Sequence, residues 1–127
     1  MFTSEGNKCK RRASIAARHK AREIKLLLDS SAEQIPTISA IEDKFNLSRQ
    51  YLQLGFYELY GITIGNYGKT LKLRLIKELL KDYSLTLDTI AITTGYNGGE
   101  ALNRFFKTME GISPGQWRRQ FQDSHKY

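Results

Sequence analysis

Laid on itself at an offset of 49 residues, the chain repeats a pattern that few folds can accommodate. Ile38, Ile41, Phe45, Asn46, Leu47 and Ser48 fall on Leu87, Ile90, Thr94, Gly95, Tyr96 and Asn97. After one inserted residue, Leu52, Phe56 and Gly61 fall on Leu102, Phe106 and Gly111. Each copy reads as a short helix, a sharp turn at Asn or Gly, a second helix and a closing glycine. That is a helix-turn-helix written twice. Such a pair needs a turn residue tolerant of positive φ and a small residue where the helices cross. The second copy supplies both in Gly95 and Ala91, whereas the first has Asn46 at the turn but Glu42 where Ala91 stands. The first copy is therefore expected to be the weaker one.

The segments around the repeat are helical too. Residues 13–29 carry Ile15, Ile24, Leu27 and Leu28 at helical spacing, and Pro36 marks a break. Ile38, Ile41 and Phe45 face inward on the next helix, and Ser48 is placed to cap the one after it. That helix turns Tyr51, Leu52, Gly55, Phe56 and Leu59 inward and ends at Gly61. A longer helix over 64–81 has two apolar stripes: Tyr67, Leu71, Leu75 and Leu79 on one side, Leu73, Ile76 and Leu80 on the other. A helix apolar on two sides is sandwiched between other elements. Asp88 lies favourably near the start of a short helix opened by Leu85 and Thr86. Ala101, Leu102, Phe105, Phe106 and Met109 form the stripe of the next helix, and Ser113, Pro114 and Gln116 spell a capping box for the last. The expectation is an all-α fold of seven helices. Residues 1–12 form a mobile basic arm, 13–63 a first helix-turn-helix subdomain, 64–83 a linker helix, and 84–127 a second subdomain.

Composition narrows the function. The 127 residues suit one ordinary domain or two very small ones sharing a core. The net charge of +7 is concentrated in residues 1–28, where eight basic side chains face two acidic ones. A basic chain suggests a polyanionic partner, although a solvated basic tail would look the same. The single cysteine, Cys9, has no internal partner for a disulfide, which fits a reducing cytoplasm. No apolar run approaches the ~18 residues of a membrane span, and the polar start is not a secretory signal. His19 and His125 lie near opposite ends with no ligand cluster at metal spacing, and no phosphate-cradling glycine motif is present. No enzyme, cofactor or metal site is expected.

At the second copy the sequence becomes recognisable. "IAITTGYNGGEALNRFFKTMEGISPGQWRR" resembles the DNA-binding region of the AraC/XylS family of bacterial transcription regulators, and the resemblance extends over about residues 15–121. The first half, "LSRQYLQLGFYELYGITIGNY", resembles the pyochelin-regulator-type subgroup, where a Gly-Phe pair likewise interrupts the first recognition helix. The resemblance implies two homeodomain-like helix-turn-helix subdomains joined by the linker helix. It also implies a cytoplasmic, nucleoid-associated regulator, an activator with double-stranded DNA and RNA polymerase as partners. The linker's ~18 residues span roughly 27 Å, suited to two recognition helices in successive major grooves of one duplex face. A hint of iron or siderophore uptake genes follows from the subgroup. Family members commonly carry an effector or dimerisation domain, for which this chain has no room. It is expected to be either a stand-alone regulator or the C-terminal piece of a longer one.

If residues 98–109 are the second recognition helix, its exposed face is Gly99, Glu100, Asn103, Arg104 and Lys107. Arg104 suits guanine O6 and N7, Asn103 adenine or phosphate, and Glu100 cytosine N4, or repulsion of phosphate. Lys107 suits a phosphate, a contact that positions without specifying. Gly98 and Gly99 leave the front of this helix bare, either to let backbone approach bases and phosphate or merely to delay helix onset. In the first copy Arg49 is a backbone candidate and Gln50 and Gln53 are base-reading candidates, while Leu54 and Tyr57 stand where the family often has basic residues. Lys69, Lys72, Arg118 and Arg119 are further backbone clamps, and Trp117 is assigned to the core. The rival to a DNA reader is a helical protein-interaction module that binds another regulator or polymerase. Steep salt dependence separates the two.

Overall fold

The computed structural model describes residues 13–31 and 34–124, and among them it holds seven helices. They are α1 Ile15–Asp29, α2 Ile38–Phe45, α3 Arg49–Tyr60, α4 Ile64–Leu80, α5 Leu87–Thr93, α6 Gly99–Glu110 and α7 Pro114–Ser124. The expected arm over 1–12, with Cys9, and His125 lie outside the described residues. The chain divides into two compact units. Of the described residues, one comprises 13–30 with Pro36–Tyr67; the other comprises 31, 34–35 and 68–124. The division falls inside α4, whose first turn belongs to the first unit.

Local chemistry sets nearly every boundary. Ser14, Thr37, Ser48 and Thr86 cap α1, α2, α3 and α5, each hydroxyl accepting the N–H three residues on. Such caps are each worth about 1 kcal/mol. Asn46 ends α2 in the left-handed region at φ 55°, the one non-glycine with positive φ among the described residues. Gly61, Gly95 and Gly111 take the same conformation at φ 71°, 92° and 88°. At α7 the capping box closes in both directions: the Gln116 N–H donates to Ser113 Oγ, and the Ser113 N–H donates to Gln116 Oε1, both at 3.1 Å.

In the first unit, α1 packs on α3 at a glycine. A Cβ on Gly55 would overlap the Ala17 carbonyl oxygen and sit 2.7 Å from its carbonyl carbon. Two expectations change here. The buried stripe of α1 is Ala17, Ala21, Ile24 and Leu28, while Ile15 is 82% exposed and Leu27 only half-buried. Ala17 is small because the helices approach at backbone distance there, which leaves no room for a larger side chain. Nor does Gly55 interrupt α3, which runs unbroken through it from Arg49 to Tyr60; the glycine serves the crossing. Leu52, Phe56 and Ile41 are fully buried beside them, and the Arg18 guanidinium pairs with Glu58 at 3.0 Å to tie α1 to α3 again. At the far end of α1, Asp29 accepts the Tyr67 hydroxyl and Lys25 lies over the Tyr67 ring.

In the second unit, Ile76 and Leu80 of α4, Ile90 and Ala91 of α5, and Leu102 and Phe106 of α6 form one buried cluster. Leu73, Leu79, Leu85, Leu87, Tyr96, Phe105 and Trp117 border it. Trp117 meets Phe106 edge-on at 6.3 Å and stacks on Phe121 at 5.5 Å, so it pins α7 as expected. The Thr94 hydroxyl is fully buried and donates to the Ile90 carbonyl at 2.8 Å. Replacing Gly55 by Ala should lower the urea unfolding free energy by about 1–3 kcal/mol through overpacking against Ala17. An unchanged midpoint in that titration would refute the close crossing.

Candidate nucleic-acid interface

The front of α6 has a cap that does not come from its own sequence neighbours. Gly98 stands at the cap position, extended, with no side chain to offer. The Gly99 N–H instead donates at 2.9 Å to Oδ1 of Asp88, which lies in the first turn of α5. A Cβ on Gly99 would lie 2.7 Å from that same oxygen, so glycine makes room for the carboxylate. Nothing lies within 4 Å of a Cβ on Gly98. The bare amides expected to invite phosphate are therefore already answered at Gly99, by a negative charge. In the sequence Asp88 looks like a partner of its own helix only; the signal for its second role is a carboxylate eleven residues ahead of a helix that starts without a cap.

The first copy uses the same device from a different position. Glu42 of α2 accepts the Arg49 N–H at 2.7 Å, the first residue of α3, and pairs with the Arg49 guanidinium at 3.5 Å. Glu42 was expected to weaken this copy because it replaces a small residue at the crossing. The structure places it half-buried at the rim, capping the following helix across the turn.

Leu102 and Phe106 face the core of the second unit, so Glu100, Asn103, Arg104 and Lys107 all point to solvent. Their spacing of three and four residues puts them on one strip of α6. Beside its front end is an open depression of about 400 Å³, lined by Thr86, Leu87, Asp88, Gly99, Glu100 and Asn103. In the first unit Arg49 and Gln50 are exposed at the front of α3. Gln53 is not: it is half-buried, and its side-chain oxygen accepts the Ile64 N–H at 3.0 Å, capping α4.

The other expected clamps separate by environment. Lys69 and Arg119 are exposed. The Lys72 ammonium lies 5.2 Å from the Tyr96 ring centroid, and burial holds its pKa below the usual lysine value. Burial pushes the Tyr96 phenol up, from an ordinary 10 to about 12. Arg118 serves the fold. Its Nε donates to the Leu80 carbonyl at 2.8 Å and its guanidinium also reaches the Asp82 carbonyl at 3.2 Å, closing the C-terminus of α4. Among the described residues no three His, Cys, Asp or Glu side chains are grouped to hold a metal, and no helix is long and apolar enough to cross a membrane.

Two helix pairs, each with a left-handed turn, a buried inner face and an exposed second helix, define a tandem helix-turn-helix protein. A family model for "Helix-turn-helix domain" matches residues 41–120. The chain is similar to the Msm operon regulatory protein of Streptococcus mutans, 26% identical over 80% of this chain and 37% of that protein. It is 34% identical to the F1 operon positive regulatory protein of Yersinia pestis over 56% of this chain and 24% of that protein. The chain thus spans well under half the length of these relatives. In fold it is similar to the DNA-binding domain of AdpA, solved with a target DNA, at a TM-score of 0.71 and 20% identity over 84% of this chain and 96% of that one. The chain belongs to the AraC/XylS family of helix-turn-helix regulators.

Two results should follow. Arg118→Ala should cost about 1–3 kcal/mol of stability, from two lost hydrogen bonds and the carbonyls left open. It should leave the salt dependence of any duplex binding unchanged; a shallower salt slope would make Arg118 a phosphate clamp after all. Tyr96 binds its proton more tightly folded than unfolded, so its contribution is intact below pH 10 and is lost as pH rises towards about 12. Thermal melts of Tyr96→Phe across that window should show a smaller decline than the parent; equal declines would refute it.

Proposed function

We propose that this chain binds double-stranded DNA sequence-specifically as a transcription regulator, with α3 and α6 as its two recognition helices. The observation that carries the reading is the strip Glu100, Asn103, Arg104 and Lys107 on the open face of α6, opposite the buried Leu102 and Phe106. Arg104 reads guanine through its two parallel donors, Asn103 reads adenine, and Glu100 accepts from cytosine. Gln50 is the corresponding reader on α3. Arg49, Lys69, Lys107 and Arg119, all exposed, hold phosphates and set register. Gln53, Lys72 and Arg118 play internal roles first.

The 17 residues of α4 run about 26 Å. Reading of successive major grooves, about 34 Å apart on one face of a duplex, by a single chain is part of this proposal. Similarity to a positive regulatory protein supports activation; RNA polymerase as a second partner and the nucleoid as the place of action are part of the same proposal.

The test is selection from a random duplex pool by the purified protein at two salt concentrations. The expected result is salt-sensitive retention and an enriched motif with two parts about one helical turn apart. Arg104→Ala should cost about 1–3 kcal/mol of discrimination at one base pair of that motif, and little elsewhere. Retention of no duplex, or binding indifferent to salt, would overturn the proposal and favour a protein partner docked near Leu54 and Tyr57.

A further inference from the structure

We infer that Asp88 is a specificity-determining residue: its carboxylate keeps phosphate away from the front of α6, so that the first turn of this helix is held to bases and not to backbone. The inference rests on the DNA-binding function proposed above. An uncapped helix N-terminus attracts phosphate through its free N–H groups and dipole. Here the Gly99 N–H is already bonded at 2.9 Å to Asp88 Oδ1. The same carboxylate lines the open depression beside α6 together with Glu100 and Asn103, the side chains assigned to base edges, and no basic side chain lines it. Negative charge and acceptor oxygens at that spot repel a phosphate oxygen and favour a base edge that presents an amino group, as cytosine N4 and adenine N6 do.

The first copy shows the contrast. Glu42 holds the front of α3 in the same way, but its charge is matched by the Arg49 guanidinium at 3.5 Å. The front of α3 is electrically balanced and α6 is not. The two recognition helices are thereby unequal, the first tolerant of backbone at its tip and the second intolerant. Helix capping alone does not require this asymmetry, since a hydroxyl such as that of Ser48 caps without charge.

Asp88→Asn separates charge from cap. Its amide oxygen can still accept from Gly99, so α6 stays anchored, while the negative charge is gone. Titrations against the selected site and against a scrambled duplex, from 50 to 200 mM salt, read the effect. For Asp88→Asn, affinity for the scrambled duplex should rise about fivefold and its salt slope should steepen by about 0.9, one added phosphate. Affinity for the selected site should change less, so the specificity ratio falls. Asp88→Ala, lacking cap and charge, should bind the selected site more weakly than Asp88→Asn. If the parent binds specifically and Asp88→Asn leaves both slope and ratio unchanged, Asp88 is a helix cap and nothing more. If the parent shows no salt-sensitive binding to either duplex, the DNA-binding function itself fails and this inference falls with it.

Discussion

Burial of Leu102 and Phe106 decides which way α6 faces, and the candidate interface depends on that. Each side chain gains about 1.5–3 kcal/mol by leaving water, far more than any single exposed contact on the opposite face. Turning α6 to present a different strip would expose both and open cavities against Ile76, Leu80, Ile90 and Ala91. The orientation of Arg104 and its neighbours is thus a by-product of packing. Residues on the open strip can change with little cost to the fold.

The two copies solve the same mechanical problem with different residues. Each must hold the front of its second helix at a set height above the first. In both, a carboxylate from the first helix crosses the turn and accepts the leading N–H of the second. Glu42 reaches Arg49 from near the end of α2, whereas Asp88 reaches Gly99 from the start of α5. The contact in the second copy goes with the glycine at 99, because a side chain at Gly99 would collide with the carboxylate. Glycine at the start of that helix weakens it locally by about 1 kcal/mol relative to alanine, and the cross-turn bond offsets part of this.

Charge is likewise divided between scaffold and surface. Arg118 carries a formal charge that composition counts towards a polyanion site, yet it is spent on two carbonyls at the end of α4. Lys72 lies over Tyr96 and is partly buried. Lys77 bonds Glu110 at 2.9 Å. Lys69, Arg104, Lys107 and Arg119 remain at the surface. A net charge therefore overstates the cations open at the surface, and only their three-dimensional placement shows which they are.

The amino-acid sequence by itself determined whatever acts over a few residues. Asn46, Gly61, Gly95 and Gly111 set the turns, Ser14, Thr37, Ser48 and Thr86 set helix starts, and the Ser113–Gln116 box sets the last one. Their chemistry is local and leaves a fixed-distance signature. Leu102 and Phe106 were legible as an inward stripe for the same reason, and with them the outward strip that includes Arg104. What only the tertiary structure decided joins residues distant in sequence. Ile15 looked apolar enough to be core, but it is exposed, and the close crossing at Gly55 is made by Ala17. Gln53 and Arg118 looked like surface donors until the orphan backbone groups at the ends of α4 came within reach. Asp88 looked like a residue of its own helix and proved to hold the next. No periodicity encodes such pairings, because they depend on where another helix ends in space.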